Sequence, residues 1–415
     1  MSNNKCITVI GGVYTEQCVW PHWDELYGSG GRALSVLQSL GCTTKLYSCL
    51  NEEGANILQA RAGIYNTPFK ICTSLKENHN PVKFHYLHGL STPQISSITT
   101  EFTQQNKIIE DNILVFGMLE GNPIISGNKV VYDPQNPVSP KDFFENGSTA
   151  NELAIILNIN EAYKLTKDRN LSLDDIANNL IENKVKIVII KQGVRGADIY
   201  QKLNNGGFEK NTIPCYLTEN IWKIGSGDCF SAHFAYQWIS EGKTPTEAAE
   251  LASKATAYYC ETRGYPSFEE FTNWKNRVQP ITHRHSEKKV TVYLAGPFFT
   301  LSQIWLINET RRLLSEMGLI VFSPYHEIGV GDAKTVAPKD IDGINNSDII
   351  FAIFDGKDSG TIFEIGYARA KNKPVIIYNE NEKSEDLKMM EGTSCIVIKD
   401  YVSAIYRTLW ESQKL

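Results

Sequence analysis

Short, nearly continuous apolar runs recur along this chain with amphipathic stretches between them, and that rhythm constrains the fold more than any other feature. Runs such as Ile113–Phe116, Val130–Asp133, Leu153–Leu157, Lys186–Ile190 and Ile349–Phe354 lack the polar alternation of half-exposed strands. They read as strands buried on both faces, the mark of a parallel sheet covered by helices. Helical periodicity fills several of the gaps: Arg32–Leu40 closed by Gly41, Leu173–Asn183, Gly227–Gly242, and Thr246–Cys260 with Thr244 or Thr246 as its cap. From about Lys70 to Ser97 the pattern alternates instead, as in Val82–Leu87, which predicts antiparallel strands in a small lid.

The rhythm breaks once. Residues 266–288 are polar and lack an apolar period, so they read as a linker between a domain at 1–265 and a second at 289–415. The second region repeats the alternation: strands at Val290–Ala295, Leu319–Phe322, Ile349–Phe354, Val375–Tyr378 and Cys395–Ile398, helices at Gln303–Met317, from Pro338, at Thr361–Lys371 and at Tyr401–Gln413. A chain of 415 residues has length enough for two cores. Its net charge of -6 gives no reason to expect a nucleic-acid partner. Nine scattered cysteines form no C-x-x-C pair, so neither a zinc site nor a disulfide framework is expected. No signal peptide and no membrane span are expected either, which points to the cytoplasm.

Two places carry chemistry. Ile224-Gly-Ser-Gly-Asp228 opens a helix. Glycines there let backbone N–H groups approach an anion, the helix terminus adds partial positive charge, and Asp228 can take a proton from an attacking hydroxyl. Asp228 can equally be a simple cap. Later, Asp358 and Glu364 follow the apolar run Ile349–Phe354, at the carboxyl end of a strand, where open α/β sheets bind ligands. Thr361-x-x-Glu364 also fits a capping box, which would place Glu364 in the first helical turn and keep it ionised. Asp340 precedes the same strand, so several carboxylates converge on one sheet end. Cleaving an N-glycosidic bond needs such a set: one carboxylate ionised against the anomeric carbon, another acid to protonate the departing base.

Gly225-Ser-Gly-Asp-Cys-Phe-Ser-Ala232 resembles the G-A-G-D-x-F-x-A signature of the PfkB family of carbohydrate and nucleoside kinases. Asn158-x-x-Glu161, Lys191-x-Gly193-x-x-Gly196 and the early glycine-rich stretch Gly28–Ala33 fall in the family's order. The resemblance implies a ribokinase-like αβα sandwich with a β lid, using ATP and Mg2+. It makes Asp228 the base, Gly225, Ser226 and Gly227 the anion hole, and Asn158, Glu161, Lys191, Gly193 and Gly196 the nucleotide side. Arg32 stands where the family has an asparagine that contacts sugar hydroxyls; an arginine there would suit an anionic group, or a site that no longer holds a sugar. The threonines that often precede the signature are replaced by Trp222-Lys-Ile224.

Residues 289–400 resemble nucleoside 2-deoxyribosyltransferases and the related deoxynucleoside monophosphate N-hydrolases, through Val292-Tyr-Leu-Ala-Gly-Pro-Phe-Phe299, Asp340-Ile-Asp-Gly-Ile344 and Asp358–Ala368. That implies a flavodoxin-like doubly wound sheet. It makes Glu364 the nucleophile, with Tyr293 beside it and Asp340 and Asp358 serving the base. Gly296, Pro297, Phe298 and Gly360 line the pocket, and no cofactor or protein-bound metal is called for. His326 is a weaker candidate, since a lone histidine is usually structural. Together the resemblances imply an enzyme of nucleoside metabolism, acting on small nucleosides or sugars and forming a homo-oligomer. The alternative they leave open is a first domain that only senses a nucleotide and controls a nucleotide-depleting N-glycosidase.

Overall fold

A computed structural model describes residues 6–73, 82–97, 107–136, 139–204, 206–281 and 289–415. It falls into two compact units, Met1–Thr218 with Trp222–Pro280, and Glu219–Ile221 with Ile281–Leu415.

The first unit is mixed α/β. Its strands are β1 (Ile7–Ile10), β2 (Thr15–Trp20), β3 (Trp23–Leu26), β4 (Thr44–Ser48), β5 (Phe69–Thr73), β6 (Lys83–His88), β7 (Gln94–Ser96), β8 (Ile108–Phe116), β9 (Ile125–Asp133), β10 (Thr149–Asn158), β11 (Ile187–Lys191), β12 (Ala197–Lys202) and β13 (Phe208–Ile213). Its helices are α1 (Gly28–Ser39), α2 (Glu52–Tyr65), α3 (Ile159–Thr166), α4 (Leu173–Glu182), α5 (Ser226–Ala235), α6 (Pro245–Thr262) and α7 (Phe268–Lys275). Nine strands form the main sheet in the order β13-β12-β11-β10-β9-β8-β1-β4-β5. Every pair from β11 to β5 is parallel, as the apolar runs require, while β12 and β13 add an antiparallel edge. One face packs on α1, α5 and α6 through Leu34, Leu37, Phe230, Phe234 and Ala252, and the other on α3 and α4 through Ala162, Ile176 and Ala177. The result is an αβα sandwich.

The lid is larger than the alternation predicts. Four strands pair in the order β3-β2-β6-β7, and β2 and β3 come from residues 15–26, whose polar and aromatic content hides their pairing. Residues 70–73, expected in the lid, instead belong to β5, a parallel edge strand of the main sheet; residues 74–81 lie outside the described set. The linker reading also needs correction. Residues 268–275 form α7, opened by a capping box between Ser267 and Glu270, and Phe271 is buried. At eight residues α7 is too short to show a period. Residues 282–288 of that range, and residues 1–5, lie outside the described set.

The second unit holds β14 (Thr291–Ala295), β15 (Ile320–Phe322), β16 (Ile349–Ile353), β17 (Val375–Tyr378) and β18 (Ile396–Ile398). Its helices are α8 (Leu301–Glu316), α9 (Pro324–Glu327), α10 (Ala333–Asn346), α11 (Ser359–Ala370), α12 (Ser384–Gly392) and α13 (Tyr401–Ser412). The sheet order is β15-β14-β16-β17-β18, all parallel, a flavodoxin-like winding whose order reverses at β14 and β16. The helix expected from Pro338 begins earlier, at Ala333, capped by Asp332, with Pro338 inside it.

Candidate functional site

In the second unit the carboxyl ends of β14 and β16 meet α10 and α11. Tyr293, on β14, is fully buried, and its hydroxyl donates to Glu364 Oε1 at 2.6 Å. Its ring stacks on Phe322 of β15, with centroids 5.6 Å apart. Burial and the Glu364 charge push the phenol far above its usual range, so it stays a donor. Asp340, on α10, acts on the same phenol electrostatically. Its Oδ1 is buried without a hydrogen-bond partner among the described residues, and burial raises its carboxyl above the ordinary range.

Glu364 is not a capping residue. Asp358 caps α11, its Oδ2 accepting from the Thr361 N–H at 2.7 Å and from Thr361 Oγ1 at 2.8 Å. Helix α11 starts at Ser359, so Glu364 lies beyond the first turn, and the expected help from the helix terminus is absent. Burial instead pushes its carboxyl up to about 7, against the Tyr293 hydrogen bond, with the Asp340 and Asp358 charges adding to the rise. Gly360 packs under Asp358, where an added Cβ would sit 3.1 Å from Oδ2.

Gly296, Pro297 and Phe298 form the turn after β14. Gln303 holds it: its Oε1 accepts from the Phe299 and Thr300 N–H groups at 3.0 and 3.2 Å, and its Nε2 donates to Asp355 Oδ2 at 2.9 Å. The Phe298 ring packs against that of Tyr325, with centroids 5.4 Å apart. Sequence reasoning passed over Phe322, Gln303 and Asp355, although an acid immediately after a buried strand, as at Asp355, is a legible signal. His326 is structural, with Nδ1 paired to Ser323 Oγ at 3.0 Å and Nε2 to Asn308 Oδ1 at 2.8 Å.

In the first unit a cavity of about 370 Å³ is lined by Glu16 of β2, Tyr86 of β6, Asn158, Glu161, Gly225, Gly227 and Asp228, among others. A larger one, about 550 Å³, lies over β8 and β9 against mostly apolar side chains and shares only its edge with this chemistry. Gly225 takes a left-handed φ of 76° ahead of α5, and Asp228 sits in the first turn of that helix. Asp228 Oδ1 accepts from Gln135 Nε2 at 2.8 Å, and its Oδ2 pairs with Arg32 Nη1 at 3.5 Å. Burial raises the Asp228 carboxyl, while Arg32 and Gln135 oppose the rise.

Arg32 is not among the residues that line the smaller cavity. It is fully buried, and each guanidinium nitrogen has a protein partner: Nη2 with Glu16 Oε2 at 2.5 Å, Nη1 with Glu16 Oε1 at 2.9 Å, and Nε with the Tyr259 hydroxyl at 3.2 Å. The anionic group that Arg32 meets within the protein is Glu16, a residue the sequence did not single out. Lys191 pairs with Asp133 at 3.0 Å, and Ser231 Oγ donates to the same carboxylate at 2.7 Å. Asn158 and Glu161 form a reciprocal capping box on α3, and burial pushes the Glu161 carboxyl up to about 7. Gly193 and Gly196 both adopt positive φ in the turn before β12; a Cβ at Gly196 would fall 1.9 Å from the Ile213 carbonyl oxygen. Ser226 Oγ accepts from Lys223 Nζ at 3.0 Å. Among the described residues no group of three or more His, Cys, Asp or Glu side chains could hold a metal ion. A magnesium ion brought by ATP would rest mainly on phosphate oxygens.

Residues 128–269 match the family model of pfkB family carbohydrate kinases, and residues 292–395 that of nucleoside 2-deoxyribosyltransferases, so one chain carries both domains in that order. An uncharacterized protein of Ureaplasma parvum serovar 3 is 35% identical over 102 residues, which cover 21% of this chain. The chain spans 65% of that relative's length. A fructokinase from Vibrio cholerae O395, solved with fructose, ADP and calcium ion, is 12% identical, with a TM-score of 0.51 over 65% of this chain and 99% of its own. A double mutant of fructokinase from the same organism, with fructose, ADP and potassium ion, is 11% identical, with a TM-score of 0.52 over 66% of this chain and 99% of its own. These likenesses show the fold of the first unit, a ribokinase-like αβα sandwich with a β lid.

Proposed function

We propose that this chain is an enzyme of nucleoside metabolism whose second unit cleaves or exchanges the N-glycosidic bond of 2'-deoxynucleosides through Glu364. The observation that carries the reading is the 2.6 Å bond from the buried Tyr293 hydroxyl to Glu364, with Asp340 acting on the same phenol. Tyr293 occupies one carboxylate oxygen and fixes its direction; the other is left to attack the anomeric carbon. As the carbon–oxygen bond forms, the carbon–nitrogen bond breaks and the base leaves with the electron pair. Asp340, raised by burial, gives that base its proton, and Asp358 holds the base edge. The resulting deoxyribosyl ester passes to water in hydrolysis or to a second base in exchange. Gly296, Pro297, Phe298 and Gly360 line the sugar and base. Deoxynucleosides incubated with free bases, with and without Glu364→Ala, test this; equal turnover by both proteins removes Glu364 from the nucleophile's role.

For the first unit the reading is an ATP- and Mg2+-dependent kinase of sugars or nucleosides, with Asp228 as base beside the Gly225–Gly227 turn. Its test is ADP release with a panel of sugars and nucleosides. A second reading, a unit that holds a nucleotide without turning it over and controls a nucleotide-depleting N-glycosidase, is favoured by one observation: both Asp228 oxygens already have protein partners. ATP binding without ADP release separates the two. The same reading places a homo-oligomer in the cytoplasm, with small-molecule substrates and no nucleic-acid or membrane partner. Size-exclusion chromatography with light scattering tests the assembly.

A further inference from the structure

Two acids that line the first unit's pocket are paired with the protein's own buried cation. Glu16 and Asp228 both line the cavity, and both would be the natural acceptors for a ligand's hydroxyl groups. Arg32 reaches the two of them. Its fork grips Glu16 through two nitrogens, at 2.9 and 2.5 Å, and Nη1 extends to Asp228 at 3.5 Å. Glu16 Oε1 also accepts from the Gly28 N–H at 3.2 Å, and Gln135 holds the other oxygen of Asp228 at 2.8 Å. The guanidinium lies near the rings of Tyr27 and Tyr259, 4.9 and 5.8 Å from their centroids, and rests against Gly225, where a Cβ would fall 1.9 Å from Nε.

This cation cannot leave by losing a proton, because arginine stays charged in proteins. Nor can it swing out cheaply, since that would strand a buried carboxylate. A ligand hydroxyl therefore competes with a permanent, bidentate, charge-assisted donor.

We propose that Arg32 is the specificity-determining residue of this pocket: its guanidinium takes the donor positions that the hydroxyls of a pentose or nucleoside would fill on Glu16 and Asp228, so the unit does not pass a phosphoryl group to such a ligand. The proposal rests on the second reading above. A purely structural ion pair would hold Glu16 as well, but it would not predict that the pair governs hydroxyl recognition.

The test uses the full chain, unaltered and as Arg32→Asn, with the double variant Glu16→Gln/Arg32→Asn to avoid an unpaired buried carboxylate if the single variant fails to fold. Calorimetry measures binding of ribose, fructose and deoxynucleosides, and coupled ADP release is followed with ATP and Mg2+. The expected result is no ADP release above background from the unaltered chain, and about tenfold or greater tightening of at least one hydroxyl ligand in a folded variant. Where transfer also appears, the ligand oxygen bonds to the γ-phosphorus, the bond to the ADP oxygen breaks, and Asp228 takes the hydroxyl proton. ADP release by the unaltered chain with any of these compounds overturns the proposal. So does a folded variant that binds none of them more tightly, and so does loss of folding in both variants, which would make the pair a structural necessity. Direct ATP binding to the unaltered chain is measured separately. Its absence removes the nucleotide-holding reading, while the change in hydroxyl affinity still decides the role of Arg32.

Discussion

At the scale of the residue, Glu364 is the informative case, because its environment opposes the charge its proposed role needs. Its carboxyl is raised from an ordinary 4.5 to about 7, chiefly by burial. An attacking carboxylate must be ionised, so turnover of deoxynucleosides should climb as pH rises through about 7. Tyr293→Phe removes the hydrogen bond that holds the value down, and the rising limb should move to higher pH in a pH–rate profile; an unmoved limb would mean the bond does not tune the nucleophile. The sign for stability runs the other way. Between 4.5 and about 7 the folded protein keeps a proton that the unfolded chain has lost, so this group's contribution to stability falls with rising pH and is lowest above 7. Glu364→Gln should therefore raise the melting temperature above pH 7, by at most about 3 kcal/mol in stability, and make little difference below about pH 4.5. Denaturant unfolding at two pH values checks it. The residue types of this site could be read from the sequence, but the division of labour could not. Asp358-x-x-Thr361 and Thr361-x-x-Glu364 are equally good local caps, and the choice is made by Tyr293, 71 positions before Glu364. Arg32 was legible as a departure from pattern; its partner Glu16 was not, because an acid in a short lid strand gives no local sign of an arginine 16 positions later.

At the scale of the element, helix α10 has to bring Asp340 to Tyr293, and Gly343 lets it approach. A Cβ at Gly343 would fall 2.4 Å from Phe322 Cε1, and that ring is itself stacked on Tyr293. Gly343→Ala must push α10 or the ring aside. Overpacking of this kind costs about 1–3 kcal/mol. It should also lower kcat by about tenfold or more, with a smaller change in KM, because it displaces the acid relative to the nucleophile's partner and leaves the β14 turn alone. Unchanged kcat with lowered stability would mean that Gly343 matters only for packing. Strands were legible wherever an apolar run was buried on both faces, as in β9, β11 and β16. The lid strands β2 and β3 escaped because Thr15–Leu26 is half-exposed and polar, and its pairing with β6 spans more than sixty residues. Helix α7 escaped for want of length, although Ser267 and Glu270 stand at capping-box spacing.

At the scale of the whole molecule, the chain joins two units with their own sheets, and each proposed ligand has its home in one of them. The order of the two domains was legible because each carries local motifs; the first unit's extension to Pro280 was not, because it is held by contacts to distant residues, such as Trp274 Nε1 to the Lys254 carbonyl and the Leu217 N–H to the Gln279 carbonyl, in an otherwise polar stretch. A ligand stabilises the unit that binds it by mass action, about 2.7 kcal/mol at a hundredfold excess over Kd. In scanning calorimetry, ATP should raise the transition of the first unit and a 2'-deoxynucleoside that of the second. Glu364→Gln supplies the assignment, since above pH 7 it should lift only the second-unit transition. The Arg32→Asn variant should let a pentose or nucleoside raise the first-unit transition, which the unaltered chain should not allow. A deoxynucleoside that shifts only the transition left untouched by Glu364→Gln would place nucleoside recognition in the wrong unit, and the reading of Glu364 as the nucleophile would fall with it.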